Sequence, residues 1–253
     1  EFQRWKQHPS IRAVLEGGKR VAYGARVINE GGWQAVPRLV MPGAALIGCA
    51  AGFVNVPRIK GTHSAMKSAI LAAEAAYEAV AGDRRGDELS AYPDALAKSW
   101  VADELKLVRN AQPALAHYGN RLGTLVAGLD LWMRYLHIGL PYTLHHKADH
   151  TTLLPKDQAT RIAYPKPDGV ISFDRLSSVF VSGTNHEEDQ PCHLHLADPH
   201  IPIYYNLPTF DEPAQRYCPA GVYEVVGQAE GEPRFVINAQ NCVHCKTCDI
   251  KDP

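Results

Sequence analysis

The sequence predicts an α+β fold in which a helical first half precedes a second half of short strands and loops. Strong helix formers or apolar residues at helical spacing predict three helices, at residues 61–80, 93–109 and 113–140. Short β-like runs follow at 170–182, 193–197, 222–226 and 234–238. Most of the 18 prolines lie between residues 141 and 219, so the second half is rich in loops. The change of character falls near residues 150–170.

Composition narrows the class of protein. The chain has 253 residues and 45% hydrophobic content, enough for one large or two small domains. Its formal net charge is −1 and it has no run of basic residues, which argues against nucleic-acid binding. No apolar run reaches the roughly 20 residues of a membrane-spanning helix. The chain starts at Glu1 in a polar segment without an initiator Met, so we expect residue 1 to be an interior residue of a longer protein.

Four of the six cysteines limit the chemistry most sharply. Cys242, Cys245 and Cys248 form a C-x2-C-x2-C run, a spacing typical of iron–sulfur clusters. The position where a two-cluster ferredoxin has its next cysteine is Asp252, whereas a Cys-Pro pair occurs upstream at Cys218. These residues therefore predict one [4Fe–4S] cluster with a remote fourth ligand. Structural zinc is the main alternative, followed by disulfides or free thiols.

A glycine-rich turn precedes the first long helix. We expect a buried strand at residues 44–52 to run into Gly48 and Gly52, with Gly61 at the start of the helix and Thr62 or Ser64 as its cap. Such an arrangement presents backbone N–H groups to an anion or to a polarised ring edge. An ordinary strand–turn–helix with packing glycines explains the spacing equally well.

Several segments together resemble the electron transfer flavoprotein–ubiquinone oxidoreductase family. The resemblance is carried by GCAAGFVNVPRIKGTH at 48–63, SGTNHEEDQP at 182–191, RYCPAGVYE at 216–224 and NAQNCVHCKTCDIKDP at 238–253. It implies the C-terminal part of an FAD-dependent oxidoreductase with a membrane-associated helical region and a ferredoxin-like single [4Fe–4S] domain. The implied enzyme is an electron-transferring-flavoprotein dehydrogenase. Electrons would pass from reduced electron transfer flavoprotein through the cluster and FAD to ubiquinone.

The resemblance also assigns roles to particular residues. The cluster ligands would be the four cysteines at 218, 242, 245 and 248, with hydroxyls of Tyr223 and Thr247 near the cluster sulfurs. A hydroxyl that donates to a cluster thiolate stabilises the reduced state and raises the potential. The flavin would be faced by Gly48, Gly52, Gly61 and Thr62, with His63 nearby.

The implied domains are interleaved along the chain. We expect part of the FAD-binding domain at 1–90, a ubiquinone and membrane-associated region at 91–165, and the ferredoxin-like domain at 166–253. No G-x-G-x-x-G follows a predicted strand, so the segment that grips the FAD pyrophosphate is missing and this chain alone should bind FAD poorly. A non-enzymatic ferredoxin-like carrier is therefore the alternative function.

The segment 118–140 has apolar residues at helical spacing, interrupted by Arg121, Asp130 and Arg134. Periodicity alone favours a core helix. The resemblance instead implies a helix that lies in the membrane interface. We would then expect a monotopic protein on the cytoplasmic side of the bacterial inner membrane or the matrix side of the mitochondrial inner membrane.

The histidines indicate a metal site only weakly. His193 and His195 lie two residues apart, so a strand would place both on one face, where they could bind a metal ion. No carboxylate or second pair is close in sequence, and we expect no metal there. We expect His244, inside the cysteine run, to be an exposed spacer.

Overall fold

The computed structural model describes residues 1–139 and 141–252, which form two compact units. One unit, the helical unit, comprises Ile28–Lys147. The other, the cysteine unit, comprises Glu1–Val27 and the chain from Ala148 onward. The domain boundaries expected from the sequence stay predictions. The mixed helix and strand content expected from the sequence is confirmed.

Within the described residues, the helical unit contains one short hairpin and four α-helices. Strands β1 (Val40–Met41) and β2 (Ala44–Ala45) pair antiparallel. The helices are α3 (Thr62–Ala81), α4 (Ala91–Ala97), α5 (Trp100–Leu107) and α6 (Ala111–Tyr135), numbered after α1 (Phe2–Trp5) and α2 (Pro9–Leu15) of the cysteine unit. The long helix predicted at 61–80 is thus confirmed. Its predicted side-chain cap is wrong, because the cap residue is Gly61 and no side chain caps the first turn.

Two other predictions for this unit need correction. The helix predicted at 93–109 is divided in two, because Ser99 adopts an extended backbone between α4 and α5. The strand predicted at 44–52 ends at Ala45, because the left-handed φ of Gly48 (60°) starts a 3-10 turn. Leu140, the predicted end of the third helix, lies outside the described residues.

The core of the helical unit lies between α3, α4, α5 and the glycine turn. Its apolar side chains are Leu39, Val40, Ala51, Phe53, Leu71, Tyr92, Leu96, Val101 and Leu105. The buried Tyr92 hydroxyl donates to the carbonyl oxygen of Leu46 at 2.9 Å, which ties the hairpin to α4. This core holds the glycine turn against the first turns of α3.

Helix α6 is kinked, and its polar face is turned inward. Gly119 has a left-handed φ of 71° inside the helix. After the kink, Gly123 packs so closely that an added Cβ would lie 2.6 Å from the carbonyl oxygen of Ala114. The opposite face carries a stripe of exposed apolar residues, here called the apolar face of α6: Leu122, Leu125, Leu129, Trp132 and Leu136.

A buried ion pair lies on the inner face of α6. Asp130 and Arg134 have side chains only 4% and 8% exposed, and the Arg134 Nε donates to Asp130 Oδ2 at 2.8 Å. Asn110 Nδ2 donates to Asp130 Oδ1 at 3.3 Å and to the carbonyl oxygen of Tyr142 at 3.2 Å. The Asn110 Oδ1 accepts the Leu144 N–H at 2.9 Å. The network therefore joins the C-terminal part of α6 to Asn110, the residue that precedes the helix, and to the segment that follows it.

The cysteine unit is built from short elements. Helices α1 and α2 are followed, after residue 147, by α7 (Arg175–Phe180), α8 (Leu207–Phe210), α9 (Ala214–Tyr217) and α10 (Cys248–Lys251). A π-helical turn, Pro202–Asn206, leads into α8. Strands β3 (Tyr223–Val226) and β4 (Arg234–Ile237) form an antiparallel hairpin that pairs Tyr223 with Ile237. The strands predicted at 222–226 and 234–238 are confirmed.

The strands predicted at 170–182 and 193–197 are wrong. Residues 175–180 form α7, because the Asp174 carboxylate accepts the Ser177 N–H at 2.8 Å and caps the helix. Before it, Asp168 Oδ1 accepts the N–H groups of Val170, Ile171 and Ser172, each at 2.9 Å, and folds a turn. Residues 193–197 have no regular secondary structure.

None of the helices in the described part of the chain has both the length and the apolar character needed to cross a bilayer.

Removing the acid of the buried ion pair should destabilise the helical unit. We expect Asp130→Ala to lower the free energy of unfolding by about 3–5 kcal/mol, because Arg134 would keep a buried charge without its carboxylate. Chemical denaturation followed by circular dichroism measures the change. The matched control is Asp94→Ala on α4, where the carboxylate is exposed and the loss should stay within about 0.5 kcal/mol. Equal losses for the two variants would contradict the assigned role of Asp130.

A candidate four-cysteine metal centre

The β3–β4 hairpin brings two distant cysteine segments together. Cys218 directly follows helix α9 as its C-cap residue, and Gly221, with a φ of 65°, turns the chain into β3. At the other end of the hairpin, the Asn238 N–H donates to the carbonyl oxygen of Val222 at 2.7 Å. A 3-10 turn, Ala239–Asn241, then leads directly into Cys242. The hairpin therefore sets the remote cysteine beside the C-x2-C-x2-C loop.

All four predicted cysteines line one pocket of about 310 Å³, part of which is open to solvent. Cys218 and Cys245 are buried, and Cys242 and Cys248 are half-buried. The rest of the wall is largely apolar and includes Leu194, Tyr217, Ala220, Val222 and Val243. A single compact volume surrounded by four thiols is what a cubane cluster requires.

Each of the four sulfur atoms has a hydrogen-bond donor beside it. The Val222 N–H donates to Cys218 Sγ at 3.4 Å, and the His244 N–H donates to Cys242 Sγ at 3.4 Å. The two predicted hydroxyls serve the other cysteines: Thr247 Oγ1 lies 3.2 Å from Cys245 Sγ, and Tyr223 is hydrogen-bonded to Cys248. The structure thus brings Tyr223 and Thr247 to the cysteine pocket.

The carbonyl oxygens around the pocket are held by groups outside it. Most of these groups carry no motif in the sequence, so sequence reasoning missed them. The Val27 N–H donates to the carbonyl of Cys245 at 2.9 Å, and Tyr23 Oη donates to that of Pro219 at 3.1 Å. Further donors are Arg175 to the carbonyl of Cys218 (3.3 Å), His186 to that of Cys242 (3.0 Å) and Arg26 to that of His244 (3.5 Å).

The loop between the cysteines contains two residues in the left-handed region. His244 has a φ of 53° and Lys246 a φ of 68°. A non-glycine residue in this region costs roughly 1–3 kcal/mol, and it persists only where the surrounding structure fixes it. The outward-held carbonyls supply that constraint, so the loop stays curled around the pocket.

Burial governs the electrostatics of the site. It raises the pKa of the Cys242 thiol, and the neighbouring Cys248, Cys245 and Cys218 add to this effect. Burial, and then the hydrogen bond to Cys248, raises the pKa of Tyr223 well above its usual value, so this hydroxyl acts as a donor. Clustered thiolates in such surroundings need compensating positive charge. The residues present therefore fit a bound metal cluster.

The predicted flavin-facing residues lie in the helical unit. Gly48 and Gly52 are buried, Gly61 is half-buried, and Thr62 is exposed at the start of α3. The Gly48 N–H donates to Ser68 Oγ at 3.0 Å, and a Cβ on Gly48 would lie 3.0 Å from that of Ala65. Gly48 therefore permits close packing of the turn on α3. Whether these four residues face a flavin stays a prediction.

Sequence reasoning missed the partners of His63. Its ring stacks on Trp100 with centroids 5.5 Å apart, and its Nε2 lies 3.1 Å from both carboxylate oxygens of Glu104. Asn55 Nδ2 donates to Glu104 Oε1 at 2.5 Å. Burial raises the pKa of Glu104, but the hydrogen bonds from Asn55 and His63 outweigh it and leave this pKa lowered. The network fixes the start of α3 against α5.

The structure groups the histidines differently from the sequence prediction. His193 does not share a strand face with His195. Its ring lies 4.7 Å from that of His244 and 5.4 Å from that of His186, centroid to centroid. His244 is exposed, as predicted, but its ring has these two partners.

Two sequence profiles match this chain. One is described as electron transfer flavoprotein-ubiquinone oxidoreductase, 4Fe-4S, and matches residues 169–253. The other is described as ETF-QO, ubiquinone-binding, and matches residues 1–28. The first covers the cysteine pocket, and the second covers the segment that contains Tyr23, Arg26 and Val27.

Full-length proteins with this name are similar over the whole chain. The electron transfer flavoprotein-ubiquinone oxidoreductase of Pseudomonas aeruginosa is 58% identical over an alignment of 255 positions, which covers 100% of this chain and 46% of that protein. The human mitochondrial protein of the same name is 55% identical over an alignment of 264 positions, which covers 100% of this chain and 42% of that protein. The chain thus spans less than half the length of these relatives.

The cysteine pocket and the 4Fe–4S profile together define an iron–sulfur protein rather than a zinc or disulfide protein. The resemblance inferred from the motifs is confirmed by the relatives. The chain belongs to the electron transfer flavoprotein–ubiquinone oxidoreductase family.

Substituting the remote cysteine tests the predicted ligand set. We expect Cys218→Ala to lose the intact cube, with iron falling below the about four atoms per chain of a [4Fe–4S] cluster, because only three thiolates would remain. Iron analysis and the electron paramagnetic resonance spectrum of the reduced protein measure this. The control is Cys192→Ala, an exposed cysteine outside the pocket. A complete cluster with an unchanged spectrum in Cys218→Ala would contradict the remote-ligand assignment.

Proposed function

We propose that this chain is part of an electron-transferring-flavoprotein dehydrogenase, which passes electrons from reduced electron transfer flavoprotein through a [4Fe–4S] cluster and FAD to ubiquinone. The observation that carries the proposal is the four-cysteine pocket, with a donor at every sulfur, on a chain 55–58% identical to oxidoreductases of that name. When bound, the cluster would supply one-electron storage between a flavin donor and a two-electron acceptor.

In this proposal the ligands are Cys218, Cys242, Cys245 and Cys248. The N–H groups of Val222 and His244 and the hydroxyls of Thr247 and Tyr223 would stabilise the reduced state, because they donate to sulfurs that become more negative. The apolar wall would limit access of water to the sulfurs. These residues would therefore set the potential of the cluster.

The helical unit would contribute part of the flavin site. Gly48, Gly52, Gly61 and Thr62 would face the ribityl chain and the pyrimidine edge of FAD. Two observations support this: α3 begins without a side-chain cap, and its cap residue Gly61 carries no Cβ. The first N–H groups of a 20-residue helix can then be offered to an electron-rich ring edge.

The apolar face of α6 supports a membrane-associated region. Leu125 is 71% exposed and Trp132 is 69% exposed, whereas the ion pair of the same helix is buried. A stripe of this kind suits a helix that lies in the interface of a lipid bilayer. We infer a monotopic protein on the cytoplasmic face of the bacterial inner membrane or the matrix face of the mitochondrial inner membrane, where ubiquinone is dissolved.

The alternative function is a ferredoxin-like carrier that holds one cluster and has no enzymatic activity. The presence of bound flavin distinguishes the dehydrogenase from the carrier. In the native protein that carries this chain, the proposal expects iron and FAD together, and oxidation of reduced electron transfer flavoprotein on addition of a soluble ubiquinone analogue. Iron without flavin, and no quinone reduction, would favour the carrier. Zinc in place of iron would exclude both.

Removing one donor to the cluster should lower its potential. We expect Tyr223→Phe to shift the midpoint by about −40 mV, which corresponds to ~1 kcal/mol of lost preference for the reduced state in a one-electron couple. Spectroscopic redox titration measures the shift. Tyr204→Phe is the control, because its ring is 76% exposed and outside the pocket. An unchanged midpoint in Tyr223→Phe would mean that its hydroxyl does not tune the cluster.

The membrane proposal predicts a specific loss of lipid binding. We expect the double variant Leu125→Glu with Leu129→Glu to bind neutral phosphatidylcholine vesicles roughly 100-fold more weakly, since each leucine contributes ~1.5 kcal/mol or more on burial. Vesicle co-sedimentation measures the affinity. The control, Tyr77→Glu with Val80→Glu, places the same charges on exposed apolar residues of α3 and should bind as the native protein does. Equal binding by all three proteins would contradict the assignment of this face.

A further inference from the structure

Three imidazoles meet on the surface of the cysteine unit. The ring centroids of His186, His193 and His244 are 4.7, 5.0 and 5.4 Å apart in pairs. Here they are called the histidine triad. His193 and His244 are exposed, and His186 is half-buried. Imidazole nitrogens of His193 and His244 also lie within 4.8 Å of one another and of Cys242 Sγ.

The hydrogen bonding of the triad favours metal ligation. His186 Nε2 lies 3.0 Å from the carbonyl oxygen of Cys242, and a carbonyl only accepts, so this nitrogen carries the proton. The lone pair of a neutral His186 is then on Nδ1. A ligating histidine held by a carbonyl through its other nitrogen is the usual arrangement at protein metal sites.

Two positive side chains lie beside the triad. Lys246 is paired with Asp249 at 3.4 Å, and Arg26 donates to the carbonyl oxygen of His244 at 3.5 Å. Nitrogen ligands of a tetrahedral ion at 2.0–2.1 Å lie about 3.3 Å apart. The exposed rings of His193 and His244, whose nitrogens lie within 4.8 Å of each other, would therefore have to rotate to share one ion with His186. The thiol of Cys242 belongs to the cysteine pocket, which leaves the three imidazoles and water as ligands.

We propose that the histidine triad is a second metal site, which binds one borderline divalent transition-metal ion such as Zn²⁺ or Cu²⁺. Imidazole is the ligand type that these ions share. Three histidines from two segments of the chain, with water in the fourth position, make an open site rather than a closed structural one. The proposal does not depend on the electron-transfer function, because none of the three histidines is a predicted cluster ligand.

Copper binding to the iron-loaded chain tests the site. The protein with its cluster is titrated with Cu²⁺, and bound copper is counted after gel filtration and identified by its electron paramagnetic resonance spectrum. We expect one Cu²⁺ per chain with nitrogen hyperfine structure, and Zn²⁺ bound beforehand at the same site should be displaced by Cu²⁺. The titration is made with the cluster oxidised, because a reduced cluster would transfer its electron to the bound Cu²⁺.

Variants of the triad distinguish a specific metal site from nonspecific copper binding. We expect His193→Gln to weaken Cu²⁺ binding with iron content unchanged, and His193→Gln with His186→Gln to abolish Cu²⁺ binding. His195→Gln, on the same segment but outside the triad, should bind as the native chain does. No bound copper, equal copper binding in all variants, or loss of copper in His195→Gln would overturn the proposal. If the double variant does not fold, the single variant His193→Gln decides.

Discussion

The orientation of the peptide groups around the cysteines is the constraint on which the cysteine unit depends. At Val222 and His244 the N–H groups point to sulfur. Between and beside them, carbonyl oxygens turn outward and accept hydrogen bonds from other segments. A peptide cannot offer its donor and its acceptor to the same side, so each outward carbonyl bond helps to keep the N–H groups of the loop available to the pocket. A buried, electron-rich group can then be accommodated without unpaired polar atoms around it.

This constraint explains why the first residues of the chain belong to the cysteine unit. Tyr23, Arg26 and Val27 donate to the carbonyls of Pro219, His244 and Cys245. The segment 20–28 has no regular secondary structure of its own, so its conformation rests on such contacts. The segment in turn fixes the cysteine loop, in which His244 and Lys246 have a positive φ. The profile match at residues 1–28 concerns ubiquinone binding, and the contacts give the same segment a second, structural role.

The sequence predicted the features whose causes are local. The cysteine spacing, the helix rich in alanine at 62–81 and the β3–β4 hairpin each follow from composition and pattern within a few residues. It did not predict α7, because one capping carboxylate at Asp174 outweighed a β-like composition. Nor could it predict the carbonyl anchors or the histidine triad. The carbonyl anchors join residues 43–218 positions apart, and His244 lies more than 50 positions from the other two histidines, so neither spacing nor residue type marks such partners.

Helix α6 shows how packing can override a hydrophobic pattern. Apolar periodicity alone would turn Leu125, Leu129 and Trp132 towards the core. That orientation is blocked, because only a glycine can approach the backbone of Ala114 as closely as Gly123 does. Asp130 lies seven residues further on and therefore shares the face of Gly123. The inward face therefore carries the buried carboxylate of Asp130, and Arg134 and Asn110 donate hydrogen bonds to it. The leucines are left on the outside, where they form the exposed apolar stripe. The exposed stripe is therefore a consequence of the close glycine contact, which fixes the rotation of the whole helix about its axis.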